Sequence, residues 1–267
     1  VKLAKLPVFY DAVLVGCTHM AEEGAAALSG KIVEHILPKA SAMQKVAALQ
    51  CLLKAQAPAA IDMVVVASKT NSRIKALLGT MPVGKEYTVA LGDALVKNDA
   101  LTQPGMLALL ISREDASAMS TIRMALAAKL TSSDRAAAMK FVGQFGTKAD
   151  LPWLLKEHKS GSESATVAIT MLSADGVNDE LLTIAKTDAS VISILAARNC
   201  REILPMLIGQ LEKPTDKNAL KAATTAVPLL GTAADMPALI KALQANPKST
   251  VTKVVVAVAA KAKGSAQ

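Results

Sequence analysis

The chain has 267 residues, of which 52% are hydrophobic but only 2% are aromatic, and its formal net charge is +8. Sandwiches and barrels need aromatic and β-branched strands separated by regular Gly and Pro turns, so this aliphatic composition excludes an all-β fold and favours an all-α fold. Lys supplies most of the positive charge and Arg little of it, which indicates solubility and steering of partners more than nucleic-acid recognition.

Eight helical runs are predicted in the N-terminal half, separated by short polar breaks. Pro38 precedes the third run, in which Met43, Leu49 and Leu53 recur at helical spacing. We expect these runs to be degenerate units of one array over residues 1–130, with a separate helical domain before about residue 100 as the alternative. The predicted runs are residues 11–20, 25–37, 41–55, 58–68, 70–79, 86–97, 103–112 and 115–130.

Two segments of the C-terminal half are closely similar and lie 85 residues apart. GTKADLPWLLK begins at Gly146 and GTAADMPALIK begins at Gly231, with seven of eleven positions identical. Asp150 and Asp235 stand where a helix N-cap is expected, and the Pro two residues later falls in the first turn, where a missing N–H does no harm. Each segment therefore predicts the start of an amphipathic helix.

A second helix accompanies these segments, and its apolar stripe recurs along the chain. The resulting unit is a pair of antiparallel helices of about 30 residues with Gly as a C-cap, which is typical of an α-solenoid. We predict one all-α solenoid of about 13 to 15 helices over residues 1–267, with the clearer repeats in residues 131–267. The predicted stripes are Ala138, Phe141, Val142 and Phe145; Ala165, Ala168, Ile169 and Leu172; Ala223, Ala226, Val227 and Leu230; and Val251, Val254, Val255 and Val258.

The stretch SSDRAAAMKFVGQFGTKADLPWLLK resembles a HEAT repeat of the short bacterial type, with Asp134 and Arg135 opening one helix and Gly146 closing it. GTAADMPALIKAL is similar to the same half of the motif. The resemblance covers residues 132–262 and implies a HEAT-like or armadillo-like superhelix of helix pairs. One departure is Leu220, which stands where Arg135 stands 85 residues earlier, so the Asp/Arg ladder of regular HEAT stacks is incomplete.

Side chains that could carry catalysis or hold a metal are few and widely spaced. Cys17, His19, His35 and Cys51 could be imagined as a zinc set, but their spacing matches no common zinc finger. The sequence has neither a phosphate-binding loop nor a dinucleotide-binding fingerprint. We therefore expect no enzyme activity, no cofactor and no bound metal.

The sequence leaves the compartment open. Three cysteines far apart form no disulfide framework, and they fit either a reducing compartment or an exported chain that needs no disulfides; of the two we favour the cytoplasm. The chain opens at Val1 without an initiator Met, so a processed, exported form and a fragment of a longer protein stay alternatives. No apolar stretch is long enough to span a bilayer, and we expect a monomer or a part of a larger assembly.

The predicted function is that of a non-catalytic scaffold whose concave helical face binds a protein partner. Lysines off the apolar stripes would place a row of positive charges along that face, one repeat after another, which favours an acidic partner. The alternative is that these lysines only form a solvated surface. Trp153 replaces Ala238 of the matching segment and is either a binding anchor or a gap-filler. The candidate partner-binding residues are Arg135, Lys140, Lys217, Lys221, Lys253 and Trp153, with Lys261 beside them.

Two other functions stay open. One is nucleic-acid binding resembling that of the HEAT-like DNA glycosylases, which the scarcity of Arg and aromatic residues opposes. The other is an accessory role resembling that of the HEAT-like bilin lyases, which would need a bilin-protein partner. The sequence alone names neither partner.

Overall fold

The computed structural model describes residues 9–55 and 57–264, and in these residues the regular structure is helical, with no β-strand. The all-α prediction is therefore confirmed. The same residues form 17 α-helices, so the predicted number of helices is wrong. Sequence reasoning missed the helix Ile192–Ala197, whose six residues make too few turns to produce a periodic apolar pattern.

The helices belong to two compact units, Val1–Phe141 and Val142–Gln267. The first unit holds eight helices and most of a ninth, and helices occur at all eight predicted runs with ends shifted by a few residues. Its helices are α1 (Tyr10–Glu22), α2 (Ala26–Ile36), α3 (Ala42–Ala55), α4 (Ala57–Ser68), α5 (Ser72–Leu78), α6 (Lys85–Lys97), α7 (Met106–Ile111), α8 (Met119–Ala127) and α9 (Ser132–Phe145).

Within the first unit, helices α1 to α8 pack on helices that are close to them in the chain. Helices α1, α2 and α3 contact one another. Farther along, α3 contacts α5, α4 contacts α6, and α6 contacts α8. Several helices thus pack on the helix after the next one in the chain.

The second unit repeats this scheme more regularly. Its helices are α10 (Leu151–Lys159), α11 (Glu163–Met171), α12 (Val177–Ala185), α13 (Ile192–Ala197), α14 (Leu204–Glu212), α15 (Lys217–Leu230), α16 (Met236–Ala245) and α17 (Ser249–Gly264). Successive helices pack as pairs, α10 with α11, α12 with α13, α14 with α15 and α16 with α17. The second members also pack in a row, because α13 contacts both α11 and α15, and α15 contacts α17.

The predicted apolar stripes form the core of these packed helices. Those of α11, α15 and α17 are buried at every position, and in the stripe of α9 Phe145 alone is half-buried. The stripe predicted for α3 is wrong at Met43, whose side chain is 64% exposed. Its sulfur accepts a hydrogen bond from Nη1 of Arg73 at 3.0 Å, so Met43 lies against a polar neighbour on the surface.

The two similar segments fold alike. Helices α9 and α15 begin 85 residues apart, and so do α10 and α16. Asp150 and Asp235 do not cap these helices through their side chains, which corrects the sequence prediction. Each carboxylate instead accepts a hydrogen bond of 2.8 Å from the backbone N–H of Thr147 or Thr232, because a 3₁₀ helix with its own capping box precedes the α-helix.

Glycine at the end of α15 is required for space and not for a left-handed backbone. Gly231 has φ −68° and ψ 150°, a conformation that any residue adopts. A Cβ atom there would lie 2.8 Å from the carbonyl oxygen of Val227 and 3.0 Å from Cγ2 of Val258. The predicted C-cap glycine is thus in place, but its role is close packing of α15 on α17.

We expect Gly143→Ala to lower the free energy of unfolding by about 2 kcal/mol, the usual effect of overpacking. Its Cβ would lie 2.7 Å from the backbone of Ala168 in α11, which cannot yield as a side chain can. Gly209→Ala in α14 is the matched control, since no atom lies within 4 Å of its Cβ. That variant should gain about 0.5–1 kcal/mol from helix propensity. Urea denaturation measures both, and equal effects of the two variants would contradict the packing argument.

Side-chain links between helices join residues about one helix pair apart. They include buried Asn246, whose amide donates to the carbonyl oxygen of Leu211 at 2.8 Å. Links of 29 to 35 residues include Lys54 with Glu22, Lys97 with Asp62, Lys148 with Glu180, Lys159 with Asp188, Arg201 with Asp235 and Asn246 with Leu211.

In the described residues no helix is long and apolar enough to cross a membrane.

Candidate functional site

The residues predicted to bind a partner lie in both units. Arg135 is half-buried and its Nη1 donates to the carbonyl oxygen of Leu126 at 3.0 Å, so it supports the fold. Trp153 is half-buried in α10, between the buried Leu151 and Leu154 along the chain. The exposed members of the set are Lys140 in the first unit and Lys217, Lys221 and Lys253 in the second.

The structure brings four lysines of the second unit onto two helices that pack together. Lys217 and Lys221 lie on α15, and Lys253 and Lys261 lie on α17. Lys261 donates from Nζ to the carbonyl oxygen of Leu229 at 2.6 Å, so this side chain holds the end of α15. All four side chains are exposed.

A groove of about 800 Å³ runs between α13 and α15. Lys221 is the member of the predicted set that lines it. Most of the other lining residues are small or carry a hydroxyl group. Their side chains therefore leave space for a ligand and offer it hydrogen-bonding groups. The lining residues are Thr187, Asp188, Ala189, Ser190, Ser193, Ala196, Asp216, Asn218, Lys221, Ala222, Thr225, Ala226 and Leu229.

The two carboxylates of the groove are engaged within the protein. Asp188 accepts from the backbone N–H of Ser190 at 3.0 Å and from its hydroxyl at 2.6 Å, and pairs with Nζ of Lys159 at 2.9 Å. Asp216 caps α15 by accepting from the N–H of Ala219 at 2.7 Å. Lys221 makes no ion pair or side-chain hydrogen bond with any described residue. Asp216 keeps its negative charge, and Lys221 is the one lysine among the described residues that line the groove.

Asp188 should make stability depend on pH in the acid range. Its hydrogen bonds from Ser190 and its pairing with Lys159 lower the pKa of the carboxyl from 3.8 to about 2. Because the folded pKa is the lower one, the stabilisation is present above pH 3.8 and is lost as the pH falls towards 2. At 1.36 kcal/mol per pKa unit it amounts to about 2 kcal/mol.

We therefore expect Asp188→Asn to be less stable than the wild type at pH 7 by up to about 2 kcal/mol, and equally stable near pH 2. Urea denaturation across this range measures the difference. Asp175→Asn, at an exposed position of the same unit, is the control and should follow the wild type throughout. A constant difference between Asp188→Asn and the wild type at every pH would contradict the assignment.

The structure does not bring together the imagined zinc set. Cys17 and Cys51 are buried around Ser29, whose hydroxyl lies 3.4 Å from the sulfur of Cys51, whereas His19 and His35 are exposed. Burial, followed by the nearby Cys51, raises the pKa of the Cys17 thiol. No cluster of three or more possible metal ligands occurs within residues 9–55 and 57–264.

Sequence reasoning missed one wall of the groove because it missed α13. A signal was nevertheless present, since the triplet Asp-Ala-Ser occurs at Asp115 and again at Asp188. In both places the Asp side chain accepts from the N–H of the Ser and caps a 3₁₀ helix that leads into an α-helix. The recurrence of this triplet predicts the start of α13 without any apolar periodicity.

The site is thus a polar groove with one free cation, built on a row of packed helices. All of its lining residues belong to the second unit. Comparison of the chain with protein-family models, with curated proteins and with solved structures gives no match.

Proposed function

We propose that the protein is a non-catalytic, HEAT-like α-solenoid scaffold that binds a segment of a protein partner in the groove between α13 and α15. The spacing of the links between helices supports the solenoid. Links such as Lys148 to Glu180 and Asn246 to Leu211 connect one helix pair to the next, as expected when each repeat contacts its neighbours. The row of α11, α13, α15 and α17 supports it too.

The observation that carries the binding function is the groove itself. Its volume of about 800 Å³ is within the usual range for ligand sites. Lys221 offers an unpaired ammonium group, while Ala196, Ala222 and Ala226 leave room for a partner's side chains. Lys217 and Lys253 are exposed on α15 and α17, and their charges would raise the association rate of an acidic partner through long-range attraction.

The groups in the groove favour binding over chemistry. The hydroxyl of Ser193 donates to the carbonyl oxygen of Ser190 at 3.2 Å, and that of Thr225 donates to the carbonyl oxygen of Lys221 at 3.2 Å. A nucleophilic hydroxyl needs instead a general base within hydrogen-bond reach. The hydroxyl of Ser190 does donate to Asp188 at 2.6 Å, but the pKa of that carboxyl is lowered to about 2, which makes it a weak base. No His or Cys is among the residues that line the groove. Contact with a partner is the role that these groups support.

Panning a random peptide display library on the immobilised full-length protein tests this function. Peptides enriched on the wild type should fail to bind Thr225→Trp, because the indole fills the groove. Thr252→Trp is the matched control, since Thr252 is also exposed and its hydroxyl also donates to a carbonyl four residues earlier at 3.2 Å. Circular dichroism establishes that both variants keep their helical content.

The outcome that contradicts the proposal is equally concrete. If the enriched peptides bind Thr225→Trp as tightly as Thr252→Trp, the groove is not the binding site. If panning enriches no peptide on the wild type, the scaffold function proposed for this groove fails as well.

A further inference from the structure

Another cleft lies in the first unit, lined by residues of α3, α4 and α5 and by the 3₁₀ turn that follows α2. Its floor contains the side chains of Leu49 and Ile74, which are buried in the core. Its rim contains exposed side chains, among them Met63 and Val66 of α4. The cleft therefore leads from the surface down to the core of the unit.

The lining of this cleft is apolar apart from two charged side chains. Of the described residues that line it, seven are apolar, and the other two are Lys45 and Asp62. The carboxylate of Asp62 is engaged within the protein. Its Oδ2 accepts from Nζ of Lys97 at 2.7 Å, and its Oδ1 accepts from the side-chain amide of Asn98 at 2.5 Å. The ion pair with Lys97 thus balances the negative charge of Asp62.

Lys45 is the charged group of the cleft that is left for a ligand. Its side chain is exposed, and it makes no ion pair or side-chain hydrogen bond with any described residue. Lys45 lies in the first turn of α3, and its side chain leans towards the N-terminus of that helix. The N-terminal end of a helix carries a partial positive charge, which favours an anion at the same place.

These groups match a ligand with one negative charge and a hydrocarbon chain. Contact with the apolar lining removes the chain from water, while the anionic head lies beside Lys45. An extended peptide fits less well, because each of its residues brings an N–H and a C=O that are costly to bury without partners. The apolar side chains of this cleft supply no such partners.

We infer that this cleft is a further binding site, which takes a free single-chain fatty acid with its hydrocarbon chain against Leu49, Met63 and Val66 and its carboxylate beside Lys45. The inference does not depend on the function proposed for the groove between α13 and α15. We commit to the free acid and not to a bilayer lipid, because an anionic membrane surface is held by clusters of basic side chains and the cleft offers one unpaired lysine.

Titration of the full-length protein with a dansyl-labelled undecanoate tests the inference, since the emission of the dansyl group rises in apolar surroundings. The signal should saturate at one site per chain, and unlabelled dodecanoate should displace the probe. Dodecanol, which has the same chain without the charge, should bind about threefold more weakly, as expected for the loss of one exposed ion pair. Dodecyltrimethylammonium should displace the probe least of the three, because its charge repels Lys45.

Val66→Glu tests the apolar wall. It should weaken binding of the labelled acid by about tenfold or more, because a second carboxylate then stands beside the hydrocarbon chain. Val167→Glu is the matched control, since Val167 on α11 is 50% exposed and Val66 is 49% exposed. That variant should bind as the wild type does. Circular dichroism establishes that both variants keep their helical content.

Lys45→Gln tests the charge without adding bulk to the cleft. It should weaken dodecanoate by about threefold and leave dodecanol unchanged. Lys241→Gln, at an exposed lysine on α16, changes the net charge equally and should affect neither ligand. Raising the salt concentration should reduce the advantage of dodecanoate over dodecanol in the wild type but not in Lys45→Gln.

Four results would overturn the inference. They are the absence of a saturable signal, equal binding of dodecanoate and dodecanol to the wild type, unchanged binding of the labelled acid to Val66→Glu, and binding of phosphatidylglycerol vesicles without binding of dodecanoate. The peptides selected on the wild type give a further check. If their binding is lost in Val66→Glu and they exclude the labelled acid, the occupant of the cleft is a protein segment and the assignment of a fatty acid is wrong.

Discussion

Arg198→Met is expected to lower the free energy of unfolding by about 3 kcal/mol or more. The guanidinium donates from Nη1 to the carbonyl oxygens of Ile169, Thr170 and Leu172, at 2.7, 3.0 and 2.7 Å. It also donates from Nε to Oδ1 of Asn178 at 2.6 Å. The carbonyl oxygen of Ile169 also accepts from the N–H of Leu172 at 3.3 Å, but those of Thr170 and Leu172 lie at and beyond the end of α11, where no further turn of helix supplies a donor. Removing the guanidinium therefore leaves polar groups unsatisfied, at about 1–3 kcal/mol each.

Two further variants identify the hydrogen bonds as the cause. Arg198→Lys keeps the positive charge but lacks the planar guanidinium with its several N–H donors, so it should recover less than half of the lost free energy of unfolding. Arg201→Met removes an exposed Arg whose ion pair with Asp235 spans 2.9 Å, and should cost less than about 1 kcal/mol. Urea denaturation measures all three. A loss for Arg198→Met as small as that for Arg201→Met would refute the role assigned to the guanidinium.

Deleting residues 113–197 should give a shorter protein that still folds cooperatively. Arg113 and Arg198 lie 85 residues apart and each follows a short helix by one or two residues. The next residue is left-handed in both places, with φ 50° at Glu114 and 56° at Asn199. Arg113 also donates from Nε to a side chain, Thr88 at 2.9 Å, and burial lowers the pKa of both guanidinium groups.

The deletion joins Ser112 to Arg198, so the new junction repeats the old backbone path and leads into the 3₁₀ helix before α14. Circular dichroism should show helical content per residue close to that of the full chain, with a single thermal transition at a lower temperature. Deleting residues 113–205 instead joins Ser112 to Met206 inside α14 and removes the Arg and the 3₁₀ helix. That control should be poorly folded. If it is as helical as the first deletion, the repeat position at which the chain is rejoined does not matter, and the prediction is contradicted.

The sequence predicted the long helices well because their apolar stripes extend over several turns. Val251, Val254, Val255 and Val258 of α17 follow the helical spacing and are all buried. Helix α13 was missed because a helix of six residues shows less than two periods. The capping of α10 and α16 was assigned to the wrong side chain, since a 3₁₀ helix shifts the cap to the Thr three residues before Asp150 and Asp235.

The groove could be predicted only in part. Lys221 followed from its place off the apolar stripe of α15, a property of one helix. Asp188, Ser190 and Ser193 come from the neighbouring helix pair, so their approach to α15 depends on packing that no local pattern encodes. Arg135 was taken as a contact residue, but its bond to the carbonyl oxygen of Leu126 shows that an Arg beside a helix start can serve the fold.

The short range of the links between helices has a consequence during synthesis. Lys54 pairs with Glu22, Lys148 with Glu180 and Arg201 with Asp235, each across 32 to 34 residues. A ribosome adds about 5–20 residues per second, so the partner of such a residue emerges about 2–7 s later. Helices and short loops close in microseconds or less, far faster than that. The nascent chain can therefore bury each helix pair as it leaves the exit tunnel, and exposes little unpaired apolar surface to chaperones or aggregation while its C-terminus is still being made.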